Sequence, residues 1–337
     1  MAGKAKGMGL SRRSVLASAA ALAAGPLIGQ GVTSAAFAKA PFLGAARPDH
    51  YRFKLGTFEI TMVADARAML DGPWPIVGED QEPEVVAQLM RANLLPESRF
   101  RPGFTPMVVN TGEALILFDT GNGADGFVPR PDGGWLAAQL EPAGFSPDQF
   151  DVVVLSHCHP DHIGGMMEAG APLFPNARYV AGAKEFDFWN KEDRLSASPD
   201  DIEFQTAQLF RKHMLPVAEK LSFIEPGDEV VPGIRVVEAF GHTPGHLGFH
   251  LESDGKQFLF WGDCAHHQVA SLARPDWHAF FDMDKEKGAE TRRRIYAMAA
   301  AERLPVAGYH MPFPSVGFVE KAQDGYRWLP VSYQLDL

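Results

Sequence analysis

The chain has 337 residues, 46% of them apolar and 22% charged, which is enough to bury a large core and far from the composition of disordered chains. Its 31 Lys and Arg stand against 42 Asp and Glu, a formal net charge of −11, and no basic run tracks a phosphate backbone, so nucleic-acid binding and nuclease activity are disfavoured. The two cysteines, Cys158 and Cys264, lack the number and spacing of a disulfide framework and are expected as small buried side chains.

Residues 1–38 have the composition of an export signal. Lys4, Lys6, Arg12 and Arg13 precede a small-apolar run over residues 15–29, no acid occurs within the segment, and Ala36-Phe37-Ala38 suits a small-x-small cleavage site. The string Ser11-Arg12-Arg13-Ser14-Val15-Leu16 resembles a twin-arginine signal, which implies a periplasmic or secreted protein with no membrane anchor after processing. Cleavage would delete four positive charges and take the net charge to −15. Residues 39–337 then form one layered α/β domain.

In that domain residues 53–64 alternate as a strand, with Phe58, Ile60 and Met62 on one face. A Pro-rich stretch over residues 72–83 interrupts regular structure, residues 84–92 read as a helix, and residues 93–103 as loop. Residues 107–110 and 114–119 form a hairpin across Thr111-Gly112-Glu113, ending in Asp119-Thr120-Gly121. A short helix over residues 135–143 leads to the apolar run 152–155, which has the length of a buried strand. A strand over 178–181, helices over 183–189 and 201–221, and strands over 234–240, 247–251 and 258–261 follow. The last predicted elements are a helix over 285–303 and a strand over 306–309.

The run 152–155 delivers Ser156-His157-Cys158-His159-Pro160-Asp161-His162, four of whose residues are metal-ligand types. In open α/β sheets the carboxyl ends of strands are where ligands bind. His246 in Gly241-His242-Thr243-Pro244-Gly245-His246, Asp263 in Trp261-Gly262-Asp263, and His310 also follow strands. In that order these four elements resemble the metallo-β-lactamase fold superfamily.

The resemblance covers about residues 50–330 and implies a four-layer αββα sandwich with its site at the edge of the inner sheets. It implies that His157, His159 and His246 hold one metal, that Asp161, His162 and His310 hold the other, and that Asp263 bridges them. Asp119 and His242 are expected behind the ligands, where a partner fixes an imidazole tautomer. Imidazole and carboxylate donors without thiolate suit two divalent ions, Zn²⁺ first and Mn²⁺, Co²⁺ or Fe²⁺ also. Two such ions can hold a hydroxide between them near neutral pH, so hydrolysis is the natural use. An iron-dependent oxidoreductase is the rival from another class, although diiron relatives of the fold usually carry Glu where His159 stands and append a flavin domain.

Outside the metal motifs, residues 51–56, 174–177, 184–189, 231–234 and 325–331 resemble the methyl parathion hydrolase group of exported enzymes. That resemblance implies a homodimeric hydrolase of aryl phosphotriesters, aryl esters or lactones, with Phe127 and Trp189 in an aromatic substrate pocket. N-acyl-homoserine lactones are a further substrate class of the same fold. Penicillin-type substrates fit less well, because β-lactamases of the fold generally lack the bridging aspartate, and no basic segment is evident to grip glutathione carboxylates. After Asp263 come Cys264-Ala265-His266-His267 instead of apolar residues. Lactonases of the fold often place a tyrosine where His266 stands, and His266 is therefore expected to donate a proton to the leaving alkoxide.

Overall fold

The computed structural model describes residue 42 and residues 48–331 except 197 and 199. The predicted residues 1–38 lie outside this set, so the export reading has no structural counterpart here.

Two seven-stranded sheets pack face to face. The first runs, in spatial order, His50–Leu55, Phe58–Val63, Met107–Asn110, Leu115–Phe118, Val152–Val154, Arg178–Gly182 and Leu221–Ile224. The second runs in chain order from Glu229–Val231 to Tyr326–Pro330. Successive strand residues point to opposite faces, and this period assigns the layers. Val152 and Val154 join Ile116, Phe118, Phe249 and Phe260 in the core between the sheets. Val153, by contrast, points outward with Leu117 onto a cluster containing Leu136, Ala207 and Phe210. On the far side of the second sheet, Leu259, Val306 and Val319 pack on Ile295, Tyr296 and Ala299 of the helix Lys285–Glu302. Helix, sheet, sheet and helix are thus the four layers of the αββα sandwich. Phe118 links its halves, its ring 5.0 Å from Phe249 and 5.6 Å from Phe260. Burying each such side chain contributes roughly 1.5–3 kcal/mol.

Most predicted elements are present; the helix expected over 201–221 ends at Met214, the strands Leu221–Ile224 and Glu229–Val231 are additions, and three further differences stand out. Residues 53–64 are the end of one strand and the whole of the next, because Gly56 takes φ +57° and turns the chain into a hairpin. Residues 93–103 include a two-residue strand, Arg99–Phe100, paired with Leu70–Asp71. The second sheet also gains the terminal hairpin Val316–Lys321 and Tyr326–Pro330.

Strand Val152–Val154 lies parallel between Leu115–Phe118 and Arg178–Gly182, so the carboxyl ends of these three strands open on one rim. The loops after Glu238 and Phe260 of the second sheet arrive at the same rim, where Leu247 N–H bonds to Ser156 O. Cys158 and Cys264 are buried free thiols, as expected.

Candidate metal centre

The ligand loop turns abruptly because His159 is extended (φ −67°, ψ 155°) and Pro160 starts a one-turn helix, Pro160–Ile163. This turn brings Asp161 and His162 back beside His157. Among the described residues five donor sets form: His157, His159 and His242; Asp161, His162 and His310; His157, His162 and Asp263; Asp263, His266 and His310; and His242, His266 and Asp282. Asp263 lies between the first two, with its Oδ1 3.3 Å from His162 Nε2 and its Oδ2 2.9 Å from His310 Nε2 and 3.3 Å from His242 Nε2.

His242, expected behind the ligands, and His246, expected as a ligand, are both held at two ring nitrogens. His242 Nε2 faces His159 Nδ1 at 2.9 Å, inside the first set. His246 has no free nitrogen: Nδ1 donates to Ala239 O at 2.8 Å, which leaves Nε2 to accept the backbone N–H of Asp263 at 3.1 Å. The cause is Gly262, at φ +55°, where an added Cβ would stand 2.5 Å from His246 Nε2. His246 therefore packs under the turn and aims Asp263.

Groups behind the site fix the imidazoles. Asp119, itself in the left-handed region at φ +60°, accepts from Ser156 N and Ser156 Oγ and faces His162 Nδ1 at 2.9 Å. His310 Nδ1 donates to Gly103 O at 2.9 Å, turning Nε2 toward Asp263. Three further buried groups carry no motif. Asp282 faces His242 Nδ1 at 3.0 Å and is itself paired with Arg292. Glu185 accepts from Cys158 N, Trp189 Nε1, Thr243 Oγ1 and Gly245 N, tying both ligand loops together. Asp65 accepts from Asn122 N, Asn122 Nδ2 and Leu136 N, holding the loop after Asp119. In sequence Asp65 and Asp282 are lone acids, while Glu185 lies in the stretch 184–189.

The donor set fits divalent ions on its own polar atoms. His157 Nε2, His162 Nε2 and Asp263 Oδ1 are buried with no hydrogen-bond partner, which is costly unless a cation completes them. Burial first, and then neighbouring imidazoles, hold His157 and His159 well below the ordinary histidine value, in the neutral form that ligates. Burial opposes charge on His242 too, but Asp263 and Asp282 outweigh it and raise its pKa to about 9. Asp263 is held well below the usual carboxylate range against its burial by His310 and His162. Burial keeps both cysteine thiols protonated, and neither is in a donor set.

A cavity of about 320 Å³ opens over the centre, lined by Leu70, Ile76, Phe100, Phe104, Phe127 and Phe281 beside His159, Asp161, His242, Asp263, His266 and His310. Phe127 lies in this wall as expected, stacked 6.5 Å from Phe104. Trp189 does not reach it. Its indole is buried behind the ligand loop, with Nε1 donating to Glu185 and its ring 6.1 Å edge-on to His159, so the aromatic wall comes from Phe104 and Phe281 instead. His266 does reach the cavity, stacked on His310 at 5.5 Å with both ring nitrogens unpartnered. Burial lowers its pKa to about 3, which disfavours the imidazolium form of an ordinary histidine. Its neighbour His267 is buried too, with Nδ1 accepting Val269 N and Ala270 N.

A two-sheet sandwich with two donor sets joined by a carboxylate at its rim defines a class of dinuclear metal enzymes. Residues 105–310 match the Metallo-beta-lactamase superfamily, and the chain belongs to it. The chain is 30% identical over 145 residues to the hydroxyacylglutathione hydrolase of Cereibacter sphaeroides, covering 43% of this chain and 45% of that one, so it spans under half of that relative. Two solved structures match it with TM-score 0.78. One is AidC, a dizinc quorum-quenching lactonase in complex with a product, N-hexanoyl-L-homoserine (26% identical, 85% of this chain and 98% of that one). The other is the hydrolase AbOPH (25% identical, 86% of this chain and 100% of that one).

Proposed function

We propose that this protein is a dinuclear metal-dependent hydrolase of lactones and aryl esters. The observation that carries the reading is the pair of donor sets joined by Asp263 at the floor of an apolar, aromatic cavity. The likeness to AidC across most of both chains supports lactones within that class. His157, His159 and His242 would hold one ion, Asp161, His162 and His310 the other, and Asp263 would touch both. Bound together, two such ions activate water and polarise the substrate oxygen it attacks. Zn²⁺ suits the donors best, with Mn²⁺, Co²⁺ or Fe²⁺ as alternatives.

The chain's own residues orient the substrate. Phe104, Phe127 and Phe281 take an acyl or aryl group and exclude water from it. His266, with free ring nitrogens beside His310, donates a hydrogen bond to the carbonyl or leaving oxygen. This favours substrates with aliphatic leaving groups, whose alkoxides need support, over aryl phosphotriesters of the methyl parathion hydrolase type. Export as a periplasmic or secreted homodimer belongs to the same proposal, supported by residues 1–38 and by the family resemblance.

Turnover of N-acyl-homoserine lactones, dihydrocoumarin, phenyl acetate and a dialkyl aryl phosphotriester by zinc-loaded enzyme tests the reading. Lactone and aryl ester hydrolysis abolished by chelation is expected, and inactivity on all four would sink the proposal. Replacing His266 by Phe should lower lactone turnover more than phenyl acetate turnover; an equal effect removes its role.

A further inference from the structure

A second cavity, of about 510 Å³, meets the first at His266, His310 and Phe100 and is bounded by Arg99 and Arg101. Its lining includes Met69, His267 and Gln268 but no carboxylate. The two arginines come from the short strand Arg99–Phe100 and the residue after it, where the sequence reads as loop. In this chain acids outnumber bases 42 to 31, and among the described residues most other arginines are paired with Asp or Glu. Among the described residues neither Arg99 nor Arg101 has an ion-pair partner. Even Asp71, which stands opposite Arg99 in the strand register, makes no ion pair with it.

Phe100 separates the cavities. Its ring lines both and lies 5.3 Å edge-on to His267, so the guanidinium groups border one cavity while the aromatic wall of the metal centre lies in the other. The stacked rings of His266 and His310 form the shared boundary, and the two nitrogens of His266 are buried and unpartnered there. A molecule lying across this boundary would have an apolar arm among Phe104, Phe127 and Phe281, its reacting bond at His310 and Asp263, and its other end beside two free guanidiniums.

We propose that the second cavity is a carboxylate subsite, in which Arg99 and Arg101 hold an acid group that the substrate carries on the opposite side of the scissile bond from its apolar arm. Guanidinium is suited to this, because its fixed fork matches a carboxylate and it is weakly hydrated. The excess of acid elsewhere on the protein leaves this pair as a local place where an anion is welcome. The substrate class is therefore an ester or lactone with one apolar and one anionic arm. This rests on the hydrolase reading above.

The test uses zinc-loaded enzyme, hexanoate esters of phenol and of 3-hydroxybenzoic acid, and the uncleaved hexanoyl amides of aniline and of 3-aminobenzoic acid as binding probes. Charge-assisted contacts at exposed, salt-screened arginines are expected to give about a tenfold preference for the carboxylated ester and amide. R99Q/R101Q should raise KM for the carboxylated ester about tenfold with kcat unchanged, leave the neutral ester as it was, and weaken only the carboxylated amide in calorimetry. R99E/R101E should weaken that amide further. Both arginines are exposed, so thermal unfolding of the variants should match the wild type. Equal binding of both amides by the wild type, or equal loss of both in the variants, overturns the subsite. If neither ester is cleaved the hydrolase reading fails, while the amide titrations still decide the subsite.

Discussion

Replacing His242 and His246 separately by Ala distinguishes a ligand from a positioning residue. His246→Ala removes a ring that is fully buried and bonded at both nitrogens, stranding Ala239 O and the Asp263 N–H. Two buried backbone groups left unsatisfied cost about 1–3 kcal/mol each, so a loss of roughly 2–6 kcal/mol is expected before any cavity cost. For a chain of this size each kcal/mol lowers Tm by about 1.5 °C. His242→Ala instead reduces the set of His157, His159 and His242 to two residues. Its metal affinity should fall by more than the roughly 10–100-fold seen when only a group behind a ligand is changed. Elemental analysis after dialysis against a weak chelator, together with thermal unfolding, reads both effects. His242→Ala should retain one ion in place of two, and folded His246→Ala should retain two at a much lower Tm. If folded His246→Ala lost an ion and His242→Ala kept both, the assignment would be wrong.

Three other outcomes follow from the same geometry. Asp282→Asn leaves Arg292 as a buried cation with only the carbonyls of Pro275 and Trp277, so a loss of about 3–5 kcal/mol and a roughly 10–100-fold weaker metal affinity are expected; unchanged chelator titration and melting would refute the link to His242. Gly262→Ala forces a side chain into the left-handed region and against His246, and should cost at least about 1 kcal/mol and lower metal occupancy, read by melting and elemental analysis. His267 has its pKa lowered to about 4 by burial, against 6.5 for an ordinary histidine. The unfolded chain therefore binds the extra proton first, and the contribution present above pH 6.5 is lost as pH falls toward 4. His267→Asn keeps an acceptor for Val269 N and Ala270 N without titrating, and a urea-unfolding series over this range should be flatter for the variant than for the wild type.

Much of the site was legible because its ligands come in local strings. A buried strand of three valines and the sequence His157 to His162 fix where four donors emerge, and Asp263 and His310 follow strands by the same rule. Alternation along Phe58, Ile60 and Met62 likewise marks a face of the inner core without reference to any partner strand. What sequence could not decide was which groups hold each of the two histidines in one loop. That depends on Ala239 and Asp263 meeting His246, and on Asp282 meeting His242 from 40 residues away. The same holds for Trp189, whose hydrogen bond to Glu185 draws it behind the ligand loop, and for Arg99, Arg101 and His266, which share one cavity only through folding. Strand period and ligand spacing are properties of neighbours along the chain, whereas lone-pair commitment, burial and charge pairing are set by residues that the fold alone brings within 3–4 Å.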